Sequence, residues 1–232
     1  TFWSNCTTAR RRSKNKMSNS SLVNYTKLSP NCNKPRNQKI DTITIHHMAG
    51  NLTVEQCGAV FAPASRGASS NYGIGTDGRV GLYVDEANRS WCTSSGANDH
   101  RAVTIEVAND NTTTWHVSDT ALAKLIDLCV DICKRNDIRK LNYTGDKTGN
   151  LTMHKWFAAT ACPGPYLESK FPYIAQQVNA KLMAAQTPAT PTTPKKYYRV
   201  QLGAFSVKAN ADAYLAKVKA AGFTDAFVKY SE

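Results

Sequence analysis

Between Ala184 and Lys196 the chain reads AAQTPATPTTPKK, and no hydrophobic period crosses it. Proline fixes its own φ and offers no backbone N–H, so such a run enters neither a helix interior nor a central strand. It reads as an extended linker, and it rules out one core built from the whole chain. Ahead of it lies a stretch of about 170 residues, a normal size for a domain, while the tail behind it is too short for a large core. The expected division is a basic arm over residues 1–21, a main domain over 22–184, the linker over 185–196 and a small module over 197–232.

Residues 1–16, ahead of Met17, read as a disordered basic arm or an upstream-reading artefact. The segment TFWSNCTTARRRSKNKMSNSS is polar and lacks the apolar stretch of a secretory signal. No run approaches the roughly 18 apolar residues of a membrane span, so insertion into a bilayer by a helix is not expected. Seven cysteines at irregular spacing argue against a disulfide framework and fit synthesis in a reducing cytoplasm. Lys and Arg number 29 against 17 Asp and Glu, a net +12 that favours polyanionic partners: nucleic acid, anionic lipid or anionic wall polymers. The sequence carries no nucleic-acid-binding signature, and no nucleic-acid partner is expected.

Within the main domain, TITIHH (Thr42–His47) alternates as a strand. Successive side chains leave a strand on opposite faces, so His47 shares the side of Ile43 and Ile45 while His46 faces away with Thr44. Thr53 and Gln56 form a capping box that opens a helix. The segment SNYGIGTDGRVGLYV reads as a hairpin turning at Asp77-Gly78. In AVTIEVAND, Val103, Ile105 and Val107 form one strand face, and Thr104 and Glu106 the other. Leu122, Leu125, Ile126, Cys129, Val130 and Cys133 fall at helical spacing between Ser118 and Arg135, with both cysteines read as buried hydrophobes. A last helix runs from about Tyr166 to Met183. Strands interleaved with helices predict an α/β fold with a mixed sheet flanked by helices.

The chemistry concentrates in TMHKWFAATACPGPY, where seven residues separate His154 from Cys162. Imidazole and thiolate suit Zn²⁺, and a catalytic zinc takes three protein ligands and keeps one position open. His46, on the polar side of its strand, is the best-placed third ligand. Such an ion supplies a Lewis acid and acidifies water, and Glu106 is then the candidate general base.

TITIHHMAG, VTIEVAND and HKWFAATACPGPY, in this order, resemble the type-2 N-acetylmuramoyl-L-alanine amidases, a family that includes phage endolysins and peptidoglycan recognition proteins. The likeness runs from about Leu22 to Ala184. It implies a zinc held by His46, His154 and Cys162, with Glu106 matching the catalytic glutamate of some bacterial and phage members. Where some phage members carry a tyrosine before the hairpin strand, this chain has Ser70 or Asn71. Thr160 stands where some relatives place a lysine two residues before the cysteine. Cys92 replaces the histidine of a Trp-His-Ala-Gly stretch and is assigned no role. Asn71, Thr160 and Trp91 are carried as substrate-contacting residues; for Trp91, burial is the alternative.

After the linker, YYRVQLGAFS and KAAGF resemble the SPOR (sporulation-related repeat) module, which binds peptidoglycan glycan. Alternation at Tyr198, Val200 and Leu202, helical spacing from Ala209 to Val218, and Ala226–Val228 predict one β-α-β unit. A single unit implies either a shortened chain or pairing of two copies as a homodimer. The resemblance implies an enzyme that cuts the lactyl-L-alanine amide of peptidoglycan, made in the bacterial cytoplasm without a signal peptide and acting on the wall after release. A phage or prophage endolysin is the expected setting. A host autolysin of the same chemistry and a non-catalytic recognition protein are the alternatives.

Overall fold

The computed structural model describes residues 18–186 and 200–230. Two units divide between Thr187 and Pro188. The first opens with short strands β1 (Tyr25–Thr26) and β2 (Cys32–Asn33), then β3 (Thr42–His47) and helix α1 (Val54–Phe61). Strands β4 (Tyr72–Ile74), β5 (Val80–Leu82) and β6 (Arg89–Ser90) lead to helix α2 (Gly96–Arg101) and strand β7 (Ala102–Val107). Helix α3 (Asp119–Arg135), strand β8 (Leu151–Met153) and helix α4 (Pro165–Gln186) complete it.

Six strands form one mixed sheet in the order β1-β5-β4-β7-β3-β8, with only β4 and β5 antiparallel. The expected mixed sheet flanked by helices is therefore present. β3 and β7, both interior strands, are covered on both faces. On one face Ile43, Ile45, Ile105 and Met153 join Leu125, Leu128, Ile132, Phe171, Ile174 and Val178 of α3 and α4 in the main core. Each fully buried aliphatic side chain there contributes about 1.5–3 kcal/mol. Cys129 and Cys133 belong to the same core as free thiols, as their helical spacing predicts.

The opposite face is held by hydroxyls and amides. Thr44 Oγ1 meets Thr152 Oγ1 at 2.8 Å and accepts from Asn98 Nδ2 at 3.0 Å. Thr104 Oγ1 meets Ser90 Oγ at 2.8 Å and accepts from the Asn71 amide N–H at 3.0 Å. Buried polar groups must be paired, so this face fixes a particular arrangement of the loops above it.

The capping box at Thr53 and Gln56 forms as predicted. In the hairpin, Gly75 N–H donates to Arg79 O across the turn, and Gly78 adopts φ +79°, the left-handed conformation suited to glycine.

Buried charges also tie the loops down. Arg36 is buried and donates to the carbonyls of Glu86, Asn88, Asp99, His100 and Ala102. Glu86, also buried, pairs with Arg135 at 2.6 Å and accepts from Tyr72 Oη at 2.6 Å.

The boundaries differ from the sequence reading at both ends. Residues 1–17 lie outside the described residues, whereas Asn19 and Ser20, assigned to the arm, belong to the fold. Asn19 Nδ2 donates to Asp85 and Ser20 N–H donates to Tyr72 Oη, partners more than 50 positions away that no local pattern announces. α4 continues to Gln186, two residues before Pro188 and into the span read as linker. Residues 187–199 lie outside the described residues.

The second unit, over residues 200–230, contains helix α5 (Lys208–Ala220), as expected. The strands expected on either side do not form among the described residues, which for the first of them begin at Val200. A strand needs a neighbour for its backbone groups, and none is present among the described residues of this unit. Val200, Phe227 and Tyr230 are 85%, 71% and 84% exposed, so the described part of this unit encloses no core of its own.

Candidate active site

Strand register places the chemistry in one row. On the polar face His46 of β3 lies directly across from Glu106 of β7, and Glu106 lies across from Gly73 of β4. On the other side of β3, Met153 pairs with Ile45, so the chain leaves β8 at His154, beside His46. His154, His46 and Glu106 thus stand at the carboxyl ends of adjacent parallel strands, where open α/β sheets place their ligands.

Cys162 arrives on the turn that follows. Lys155 N–H donates to Cys162 O at 3.0 Å, and Gly164 N–H donates to Ala161 O at 2.8 Å. Gly164 adopts φ +85°, and a Cβ there would collide with the Trp115 ring. The turn brings Cys162 Sγ to 3.5 Å from His46 Nδ1, and the His46 and His154 rings lie 4.8 Å apart. One ligand atom each from His46, His154 and Cys162 falls within 4.8 Å of the others.

The donor set fits a soft divalent cation. Nε2 of His46, Nε2 of His154 and Oε2 of Glu106 are buried with no hydrogen-bond partner among the described residues. Orphaned buried polar atoms are costly, and three of them on neighbouring residues of this row point to a missing partner. Burial, helped by the charges of His154 and His47, holds His46 well below the usual imidazole range, and burial lowers His154 too. Both shifts favour the neutral ring, the form that binds a metal. Burial and the nearby Glu106 push the Cys162 thiol up, a shift that a coordinated cation reverses by deprotonating it. Burial also pushes the Glu106 carboxyl up to about 8, against the lowering effects of the Cys92 hydrogen bond and Arg66.

His47 takes the supporting place that strand parity gives it. Its ring stacks on Trp115 at 4.7 Å and its Nδ1 meets Asn109 Oδ1 at 3.3 Å. Ala49, Ser94 and Trp115, three of the four non-glycine residues with positive φ among the described residues, lie in loops around this row. Such strained positions persist where the surrounding structure holds them, often at functional sites.

A model of the family described as N-acetylmuramoyl-L-alanine amidase matches residues 36–165, more than half of the chain. The chain belongs to this amidase family. A second model, the SPOR domain, matches residues 194–232 of the amidase. Comparison with curated proteins found no match. Among solved structures, the amidase is similar to the N-acetylmuramoyl-L-alanine amidase LysC from Clostridium intestinale, at 24% identity and TM-score 0.50 over 69% of this chain and 95% of that one. A mutant endolysin from Bacillus subtilis matches at 18% identity and TM-score 0.53 over 67% and 99%. The Staphylococcus aureus hydrolase AmiA in complex with its ligand matches at 18% identity and TM-score 0.54 over 70% and 83%. These likenesses show a shared fold.

The residues read as substrate contacts divide three ways. Trp91 lines a cleft of about 520 Å³ together with Asn33, Arg89, Cys92, Ser94 and His154, and its Nε1 donates to Asn33 at 2.8 Å. Thr160 is exposed at the edge of the cysteine turn, its Oγ1 accepting from Cys162 N–H at 3.2 Å. Asn71 is a correction: it is fully buried and cannot touch a substrate. Its Nδ2 donates to Val84 O and its Oδ1 accepts from Thr104 N–H, so it belongs to the polar network under the loops. The sequence reading placed it beside a family position without seeing that its amide satisfies the backbone. Cys92, given no role, turns out to touch the site: its Sγ lies 3.8 Å from Glu106 Oε1. Its only sequence signal is its place directly after Trp91. No helix among the described residues is long and apolar enough to cross a membrane.

Proposed function

We propose that this amidase is a zinc enzyme that cuts the lactyl-L-alanine amide of peptidoglycan, with His46, His154 and Cys162 as metal ligands and Glu106 as general base. The single observation that carries the reading is the row of buried, unpartnered nitrogen and oxygen atoms on His154, His46 and Glu106, with Cys162 Sγ beside His46. When bound there, zinc supplies a Lewis acid for the scissile carbonyl and lowers the pKa of water toward about 7. Glu106 accepts a proton from the attacking water at Oε2 and passes it to the leaving nitrogen of L-alanine. Trp91 and Asn33 form one wall of the cleft beside this centre. A second cavity of about 430 Å³ is lined by Thr42, Ser95, Asn98, Arg101 and Phe157.

The catalytic unit is proposed to span residues 18–186 and the wall-binding module 197–232, the latter supported by the SPOR match. A phage or prophage endolysin is the proposed setting. The six cysteines among the described residues are all free, as a reducing compartment of synthesis leaves them. Digestion of purified peptidoglycan followed by mass spectrometry is expected to yield new L-alanine amino termini without new reducing sugars. New reducing ends with intact amides would make the protein a glycosidase and overturn the reading.

A further inference from the structure

The residue that touches Glu106 is a cysteine held in place from behind. Cys92 N–H and Thr93 N–H both donate to Asp99 Oδ2 at 3.1 Å, and Thr93 Oγ1 donates to Asp99 Oδ1 at 2.6 Å. Asp99 is fully buried, and Asn98 Nδ2 and Arg89 Nη2 lie 3.4 and 3.9 Å from its carboxylate. A buried carboxylate with this many donors is a rigid anchor, because releasing any of them leaves a charge unsatisfied. The next residue, Ser94, adopts φ +62° and turns the chain away toward α2. The loop therefore offers the Cys92 side chain one place, against Glu106.

The two oxygens of Glu106 are unequal. Oε1 accepts from Cys92 Sγ at 3.8 Å, while Oε2 is buried with no partner among the described residues. Cys92, Glu106 and His46 bring one polar atom each within 4.8 Å of the others. A hydrogen bond at one oxygen restrains the carboxylate's rotation and leaves the other oxygen for proton transfer. We infer that Cys92 is a positioning residue: its S–H holds Oε1 of Glu106 so that Oε2 is the oxygen that exchanges the proton during amide hydrolysis. The contact length suits sulfur. An O–H···O bond needs about 2.7–2.8 Å, so a serine hydroxyl reaches Oε1 only after the carboxylate moves. The inference rests on the assignment of Glu106 as general base.

The test uses the full-length, zinc-loaded protein and a soluble muropeptide carrying the lactyl-L-alanine amide. Cys92→Ala is expected to lower kcat by about 10- to 100-fold, as loss of an outer partner does, with KM, zinc content and melting temperature unchanged. Cys92→Ser is expected to recover part of that loss. In the Glu106→Gln background, Cys92→Ala is expected to add nothing, because both act through one carboxylate. The S–H stretching band of Cys92, read from the infrared difference between native and Cys92→Ala proteins, is expected to shift when Glu106 becomes Gln. Native kcat in Cys92→Ala, multiplying effects in the double variant, or an S–H band indifferent to Glu106 each overturns the inference. Native activity in Glu106→Gln alone defeats the general-base assignment instead, whatever Cys92 does.

Discussion

Glu106→Gln is expected to lower peptidoglycan turnover by about 10²–10⁴-fold, the usual contribution of a positioned general base, while zinc content and fold stay native. Gln copies the shape of Glu and keeps an oxygen able to accept from the Cys92 thiol, so the local packing survives. It cannot take up a proton at that place. The proposed ligands His46, His154 and Cys162 are untouched by the change, which separates loss of the base from loss of the metal. Product release measured by mass spectrometry, with elemental analysis on the same sample, checks both halves. Near-native turnover would remove Glu106 from the chemistry, and zinc loss would make it a ligand instead.

The largest effect on stability is expected from Arg135→Ala. Arg135 Nη2 lies 2.6 Å from Glu86 Oε1, with the Arg135 side chain 20% exposed and that of Glu86 only 1%. Removing one partner of a buried pair strands the other as an uncompensated charge, at a cost of about 3–5 kcal/mol. Tyr72 Oη and Asn136 Nδ2 still donate to Glu86, and part of the Arg135 charge is already solvated. The lower end, about 3 kcal/mol, is therefore expected. At roughly 2–4 °C per kcal/mol for a unit of this size, the melting temperature falls by about 6–12 °C. Calorimetry checks this, and a shift below about 2 °C would show that Glu86 needs no cationic partner.

What the sequence made legible follows from how far each signal reaches along the chain. Strand parity separates His46 from His47 because a period of two is a local property, and the cysteine turn is legible because His154 and Cys162 share one short segment. The capping box at Thr53 and the apolar stripe of α3 are equally local. The pairing of His46 with Glu106 depends on which strands become neighbours, and parity within each strand does not contain that information. Asn71 shows the same limit in reverse. A polar side chain near a functional position looks like a contact until the fold reveals the backbone groups it must satisfy. Arg36, Glu86 and Arg135 lie 49 to 99 positions apart and carry no periodic pattern, so their buried network has no sequence signature. In the tail, the alternation at Tyr198, Val200 and Leu202 signals a strand, but a strand also needs a partner, and that requirement cannot be read from one segment.

Hydrolysis by the proposed route requires His46, His154 and Cys162 to grip a single zinc ion. Elemental analysis of the dialysed full chain, native beside Cys162→Ser, addresses this directly. One zinc per native chain, with most of it lost from a Cys162→Ser protein that keeps its fold, is the expected result. A native protein that hydrolyses peptidoglycan without zinc, or a Cys162→Ser protein that retains its full complement, would contradict it.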